Sequence, residues 1–168
     1  MVIDFDNIAG HSRIWIYQSN KAVELDVQQK ILEKGKVFLS GWAAHGADLK
    51  ASIDFRYDHF LIIALDESHA GATGCSIDKS VTFIRSAEEE YKLSFLDRTK
   101  VALDIDSKVI VKDLNVLKKD IKEGLINEHS NLFNNLIQQK KDLTTDWKIP
   151  VKDSWLGKYF VQGENVSI

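Results

Sequence analysis

The segment Gly71-Ala72-Thr73-Gly74-Cys75-Ser76 holds the residues whose types and spacing come nearest to chemistry. Small residues opening a helix leave backbone N–H groups unpaired, and with the helix dipole these favour an anion or a thiolate. Cys75 is therefore a candidate nucleophile, with His45 as its base and Asp66 or Glu67 orienting the imidazole. Gly74, Ser76 and Asp78, with Trp42 and Arg13, make up a candidate binding surface for a small anionic or acyl ligand. Asp66, Glu67 and His45 also have the donor chemistry of a divalent-metal site. No ligand-spaced motif of the HExxH type accompanies them, so no metal ligands are assigned, and the cofactor stays unknown.

Each of these residues also has a plainer reading. A lone cysteine suits a small buried apolar site, Ser76 a helix N-cap, and His45 a C-terminal helix cap favoured by the dipole. Asp66-Glu67 also suits a solvated turn. Several motifs are missing. Residues 71–78 lack the lysine and hydroxyl pair of a phosphate-binding GxxxxGK[ST] loop. Leu39-Ser40-Gly41 begins like the signature peptide of transporter ATPases but runs into Trp42. There is no GxSxG elbow and no GxGxxG fingerprint. Arg13, Arg56, Arg85 and Arg98 are scattered, as surface ion-pair residues are.

The elements that must position these groups follow from periodicity. Arg13-Ile14-Trp15-Ile16-Tyr17-Gln18 is β-branched and aromatic and reads as a strand. Apolar Val27, Ile31, Phe38 and Trp42 recur at helical spacing over 24–44, with Gly46 as a left-handed cap. Gly35 inside that helix costs about 1 kcal/mol relative to alanine. Residues 49–58 alternate strictly and predict an edge strand, whereas 60–65 are apolar without alternation and predict a strand buried on both sides. A second helix is expected over 76–91, a strand over 101–105, and a hairpin partner over 108–112. Strand, helix, strand, strand, helix, strand is the order of the ferredoxin-like split βαβ unit, with two helices on one face of an antiparallel sheet. That topology would bring 42–46, 66–67 and 71–78 to one sheet edge, with His11, Ser12 and Arg13 at the same end.

The expected fold class is therefore α+β, with a ferredoxin-like core over 1–112 and a C-terminal extension over 113–168. In that extension 115–123 reads as a short helix closed by Gly124, 125–139 fits helix or strand equally, and 141–147 looks helical. Trp147, Trp155, Tyr159 and Phe160 are too many rings to leave in water, so the tail should pack back. Residues 161–168 are expected to fray.

Composition limits the function classes. The chain has 168 residues, 44% hydrophobic, and a net charge of −3, which suits one domain and offers no positive field for nucleic acid. Cys75 is the only cysteine, which excludes an internal disulfide framework and fits a reducing compartment. No apolar stretch approaches membrane-spanning length and the N-terminus lacks a signal-peptide pattern, so a cytoplasmic location is expected.

At Trp42-Ala43-Ala44-His45-Gly46, Asp66-Glu67, Gly74-Cys75-Ser76-Ile77-Asp78-Lys79-Ser80-Val81 and Asp97-Arg98 the chain resembles a family of uncharacterised cytoplasmic Bacteroidetes proteins. The likeness extends up to Arg13-Ile14-Trp15-Ile16-Tyr17-Gln18 and down to Trp147 and Ser154-Trp155. Members are often labelled ABC transporter ATPases, and the missing nucleotide motifs speak against that activity here. The resemblance implies matched residues and no mechanism. Two functions stay open: a small enzyme or small-ligand binder at the sheet edge, and a non-catalytic module that pairs with a partner protein or a second copy of itself.

Overall fold

The computed structural model describes residues 1–161. The chain divides into two compact units, one of Met1–Asp97 with Gln138–Asp142 and one of Arg98–Ile137 with the chain from Leu143 onward. Both combine helices with antiparallel sheet, so the chain is α+β. The boundary expected between residues 112 and 113 lies inside the second unit, ahead of the last residue of the strand Lys108–Asp113.

The first unit contains β1 (Arg13–Gln18), α1 (Leu25–Ser40), β2 (Ala43–Ala44), β3 (Ala47–Asp48), β4 (Lys50–Arg56), β5 (Phe60–Asp66) and α2 (Gly74–Tyr91). Its main sheet has the order β1-β5-β4, all antiparallel. All seven residues of the central strand β5 are buried, which explains the unbroken apolar run. α1 and α2 contribute Ile31, Leu39, Ile84 and Ala87 to a core shared with Ile53, Leu61, Ile63 and Leu65. Gly35 has a packing role: a Cβ there would lie 2.5 Å from Ile53 Cδ1 and 3.3 Å from Phe83 Cζ, so its absence lets α1 approach the sheet.

α1 stops at Ser40, four residues before the expected end. The chain leaves the helix because the Trp42 indole is drawn into the core, where Nε1 donates to the Ser76 carbonyl at 2.8 Å. Ala43 and Ala44 then form one arm of a hairpin whose two-residue turn is His45-Gly46, with φ of 51° and 77°. Two consecutive positive φ angles mark the mirror-image turn that matches strand twist. His45 is therefore a hairpin tip and caps no helix.

The second unit contains β6 (Lys100–Ile105), β7 (Lys108–Asp113), α3 (Leu114–Lys122), β8 (Asn131–Phe133), β9 (Lys148–Pro150) and α4 (Lys158–Val161). Its sheet has the order β7-β6-β8-β9. This corrects the expected ferredoxin-like sheet, because the fourth strand of that motif, β6, joins a different sheet. Both its edges are occupied, one by β7 through the two-residue turn Asp106-Ser107 and the other by β8. β1 consequently lies at a sheet edge, where its outer side takes up Gln138-Gln139, with Ile14 N donating to Gln138 O at 3.0 Å. The 125–139 region supplies β8 and then this addition to the first unit, and 141–147 contains only the end of a 3-10 turn, Lys140–Leu143.

Val101, Leu103, Leu117, Ile121, Leu132, Val151 and Leu156 form the core of the second unit. Tyr159 and Phe160 pack on it, and Trp147 meets Phe133 edge to face at 5.2 Å. Trp155 remains 47% exposed. The segment expected to fray, 161–168, lies outside the described residues apart from the backbone of Val161. Among the described residues no helix is long and apolar enough to cross a membrane.

Candidate functional site

The best-organised polar cluster is built around Asp66, the last residue of β5, which is 5% exposed. Its Oδ1 accepts from the Ser68 backbone N–H at 3.0 Å and from the Ser68 hydroxyl at 2.5 Å, the pattern of an Asx-turn that ends the strand. The same oxygen lies 3.2 Å from His11 Nε2. Lys50, opposite Asp66 in the β4–β5 register, brings Nζ to 3.6 Å from Oδ2. The two hydrogen bonds from Ser68 hold the Asp66 carboxyl well below the usual carboxylate range, with His11 adding to the effect and burial opposing it. Asp66 is thus a fixed negative charge at the rim of the sheet.

His11 stands just before β1, and its side chain is 60% exposed while that of Asp66 is 6% exposed. Nε2 is also 3.0 Å from Ser68 Oγ. The proton on this nitrogen can be assigned by elimination. Asp66 is ionised and can only accept, and the single hydroxyl hydrogen of Ser68 is committed to Asp66, so Nε2 must donate. Nδ1 is then the basic atom of the neutral ring, and it has no partner among the described residues. This is a carboxylate–imidazole pair on an exposed histidine whose Nε2 is engaged. It is not a serine triad, in which carboxylate and hydroxyl take opposite ring nitrogens. Here both sit on Nε2, so His11 cannot take the Ser68 proton.

Glu67 closes the loop that follows. Its Oε2 accepts from Ala72 N at 3.1 Å, and Oε1 lies 3.9 Å from Arg13 Nη1. Arg13 stacks over Trp15 at 4.6 Å, and Trp15 meets Trp42 edge to face at 6.2 Å. Ser12, between His11 and Arg13, is fully buried, and its hydroxyl has no hydrogen-bond partner among the described residues. The comparisons with protein-family models, curated proteins and solved structures found no match. The chemistry of this rim must be judged from its own side chains.

The expected site residues are placed in three groups. Asp66, Glu67 and Arg13 come together at the rim. Gly74, Cys75, Ser76 and Asp78 lie in the first turns of α2. Thr73 is the N-cap there, in a capping box whose other member is Ser76: Ser76 N donates to Thr73 Oγ1 at 3.2 Å and Thr73 N to Ser76 Oγ at 2.7 Å. Ser76 is thus buried in a structural role three residues after the cap, while Cys75 and Asp78 are exposed. Trp42 is buried and ties the sheet to that first turn. His45 stands apart on its exposed hairpin. The side chains of Cys75, Asp78 and His45 make no hydrogen bond or ion pair among the described residues. Nor do any three His, Cys, Asp or Glu side chains there gather as a metal site would require.

Sequence reasoning brought His11 to the correct end of the sheet without giving it a role, and it missed Ser68 and Lys50. The Asp-x-Ser spacing at 66–68 carried a signal, because a short acceptor two residues before a serine is the Asx-turn pattern. Lys50 was hidden in the alternation of its strand, where every second residue is polar.

Proposed function

We propose that this protein is a small enzyme that performs general acid–base chemistry on a small anionic ligand, with His11 carrying the proton. The supporting observation is the exposed imidazole of His11 held through Nε2 by the buried carboxylate of Asp66. Asp66 fixes the ring and stabilises the imidazolium formed when Nδ1 accepts a proton. Ser68 positions Asp66, and Arg13 and Lys50, paired with Glu67 and Asp66, offer their remaining N–H groups to a negatively charged ligand. The proposal keeps the ligand class expected from the sequence and moves the catalytic group from the Cys75 and His45 pair to His11. The resemblance to the Bacteroidetes family and a cytoplasmic setting belong to the same proposal and add no mechanism to it.

The test is a panel of small carboxylate and phosphate esters, assayed for turnover alongside imidazole 1H–15N spectra recorded as each is added. His11→Gln is expected to lower turnover by about 10²- to 10⁴-fold, the usual worth of a positioned acid–base group. Cys75→Ser should leave it unchanged. Loss of turnover in Cys75→Ser with none in His11→Gln would return the reaction to the thiol. A panel that produces neither turnover nor a His11 spectral change would leave the interaction-module reading as the better one.

A further inference from the structure

We infer that the second unit carries a separate binding site for a small polyphosphate anion, formed by Lys118, Lys122 and Lys158 around the ring of Tyr159. The three ammonium nitrogens lie 5.6, 5.4 and 5.3 Å from the ring centroid. α3 presents Lys118 and Lys122 four residues apart on one helix face, and Lys158 precedes Tyr159 at the start of α4. Tyr159 packs on the core of its unit, so the ring about which the charges converge is held in place.

Four other lysines of the same unit are each paired with a carboxylate, and the remaining two, Lys108 and Lys152, stand over no ring among the described residues. Lys100 pairs with Asp113, Lys112 with Asp120, Lys119 with Glu123 and Lys148 with Asp104. Lys118, Lys122 and Lys158 have no carboxylate within ion-pair distance among the described residues. A ring face attracts ammonium groups but neutralises none of their charge. Among the described residues three positive charges therefore share one aromatic ring with no carboxylate paired to any of them.

The ligand chemistry follows from that imbalance. A single carboxylate would leave most of the charge unmatched, whereas each phosphoryl group brings about 1.5 to 2 negative charges and several acceptor oxygens. Lysine binds phosphate as a point charge, so a short phosphate chain can meet all three without a fixed fork geometry. The whole unit favours a small ligand over a nucleic acid backbone. It has ten Lys and Arg against eight Asp and Glu among its described residues, an excess too small for an extended positive track.

The full chain should be titrated with sodium tripolyphosphate at about 0.15 M salt, where the Debye length of about 8 Å suppresses diffuse attraction. Saturable binding is expected. Each of Lys118→Gln, Lys122→Gln and Lys158→Gln should weaken it by about two- to fivefold, the range of a single exposed ion pair, and the triple variant should abolish it. Lys108→Gln, at the exposed start of β7, should bind as the wild type does. Absence of saturable binding, a triple variant that binds like wild type, or an equal loss in Lys108→Gln would each overturn the proposal. Circular dichroism of the triple variant confirms that the fold is kept, since these side chains hold no ion pair.

Discussion

In the first unit a buried carboxylate organises its charged neighbours, with Asp66 collecting Ser68, His11 and Lys50 on its two oxygens. The second unit gathers three lysines around a tyrosine ring with no carboxylate among them. Overall charge follows the same contrast: twelve Lys and Arg against sixteen Asp and Glu in the first unit, ten against eight in the described part of the second. A mixed cluster around a fixed charge can orient a titratable ring and so direct a proton. An all-cation cluster holds no imidazole oriented by a carboxylate and can only bind. The two clusters also rest on different supports. The rim of the first unit runs through Arg13, Trp15 and Trp42 into the core, whereas the second rests on Tyr159 alone.

The support of the first cluster gives the largest expected effect. Trp42→Ala empties a nearly inaccessible site and removes the indole hydrogen bond to the Ser76 carbonyl, and it should destabilise the protein by about 3–5 kcal/mol in denaturant unfolding. Amide exchange in β4 and β5 should accelerate. Trp155→Ala, at a ring that is 47% exposed, should stay within about 0.5 kcal/mol. Equal losses at the two would contradict the claim that only the first is an anchor.

The next largest effect separates the units by what stands beside a glycine. A Cβ at Gly157 would lie 2.0 Å from the Lys152 carbonyl oxygen and 2.9 Å from its carbon, both backbone atoms. Gly157→Ala should therefore cost about 3 kcal/mol and, by displacing Lys158 and Tyr159, weaken tripolyphosphate binding as well. At Gly35 the obstacle is the end of the Ile53 side chain, which can rotate, and the helix gains about 1 kcal/mol of propensity. Gly35→Ala should cost about 1 kcal/mol by the same unfolding measurement. The reverse order would mean that the backbone at 152–157 yields more easily than the packed side chain of Ile53.

Legibility in the sequence followed the same division. Local periodicity located α2, α3, β4, β5 and the β6–β7 hairpin, because burial on one face writes itself into three or four residues at a time. It overran the end of α1, where Trp42 fits helical spacing yet is pulled out by a hydrogen bond to a residue thirty-four positions away. The sheet partner of β6 was equally hidden, since βαββαβ order is compatible with more than one pairing and β8 has only three residues. At the site, Asp66, Glu67 and Arg13 were legible as the polar end of an apolar strand and its neighbour. His11 was not legible as the partner of Asp66, because only the register of β1 against β5 shows which side chain reaches that carboxylate.

The smallest effect is the most direct test of the contrast between the clusters. Asp66 has its folded-state pKa depressed, so the stability it contributes is fully present above the ordinary carboxylate value of 3.8 and is lost as pH falls below it. In Asp66→Asn the amide oxygen still accepts from Ser68, but the charge that strengthens those bonds is gone, and a loss of about 1 kcal/mol at neutral pH is expected. The variant should respond less to acid, so that its unfolding free energy and that of the wild type converge as pH drops from 5 towards 2. Lys118→Gln, in a cluster without a carboxylate, should follow the wild-type slope across that whole range. Parallel curves for wild type and Asp66→Asn would mean that Asp66 is not held ionised by Ser68 and His11, and the oriented imidazole would lose its physical basis.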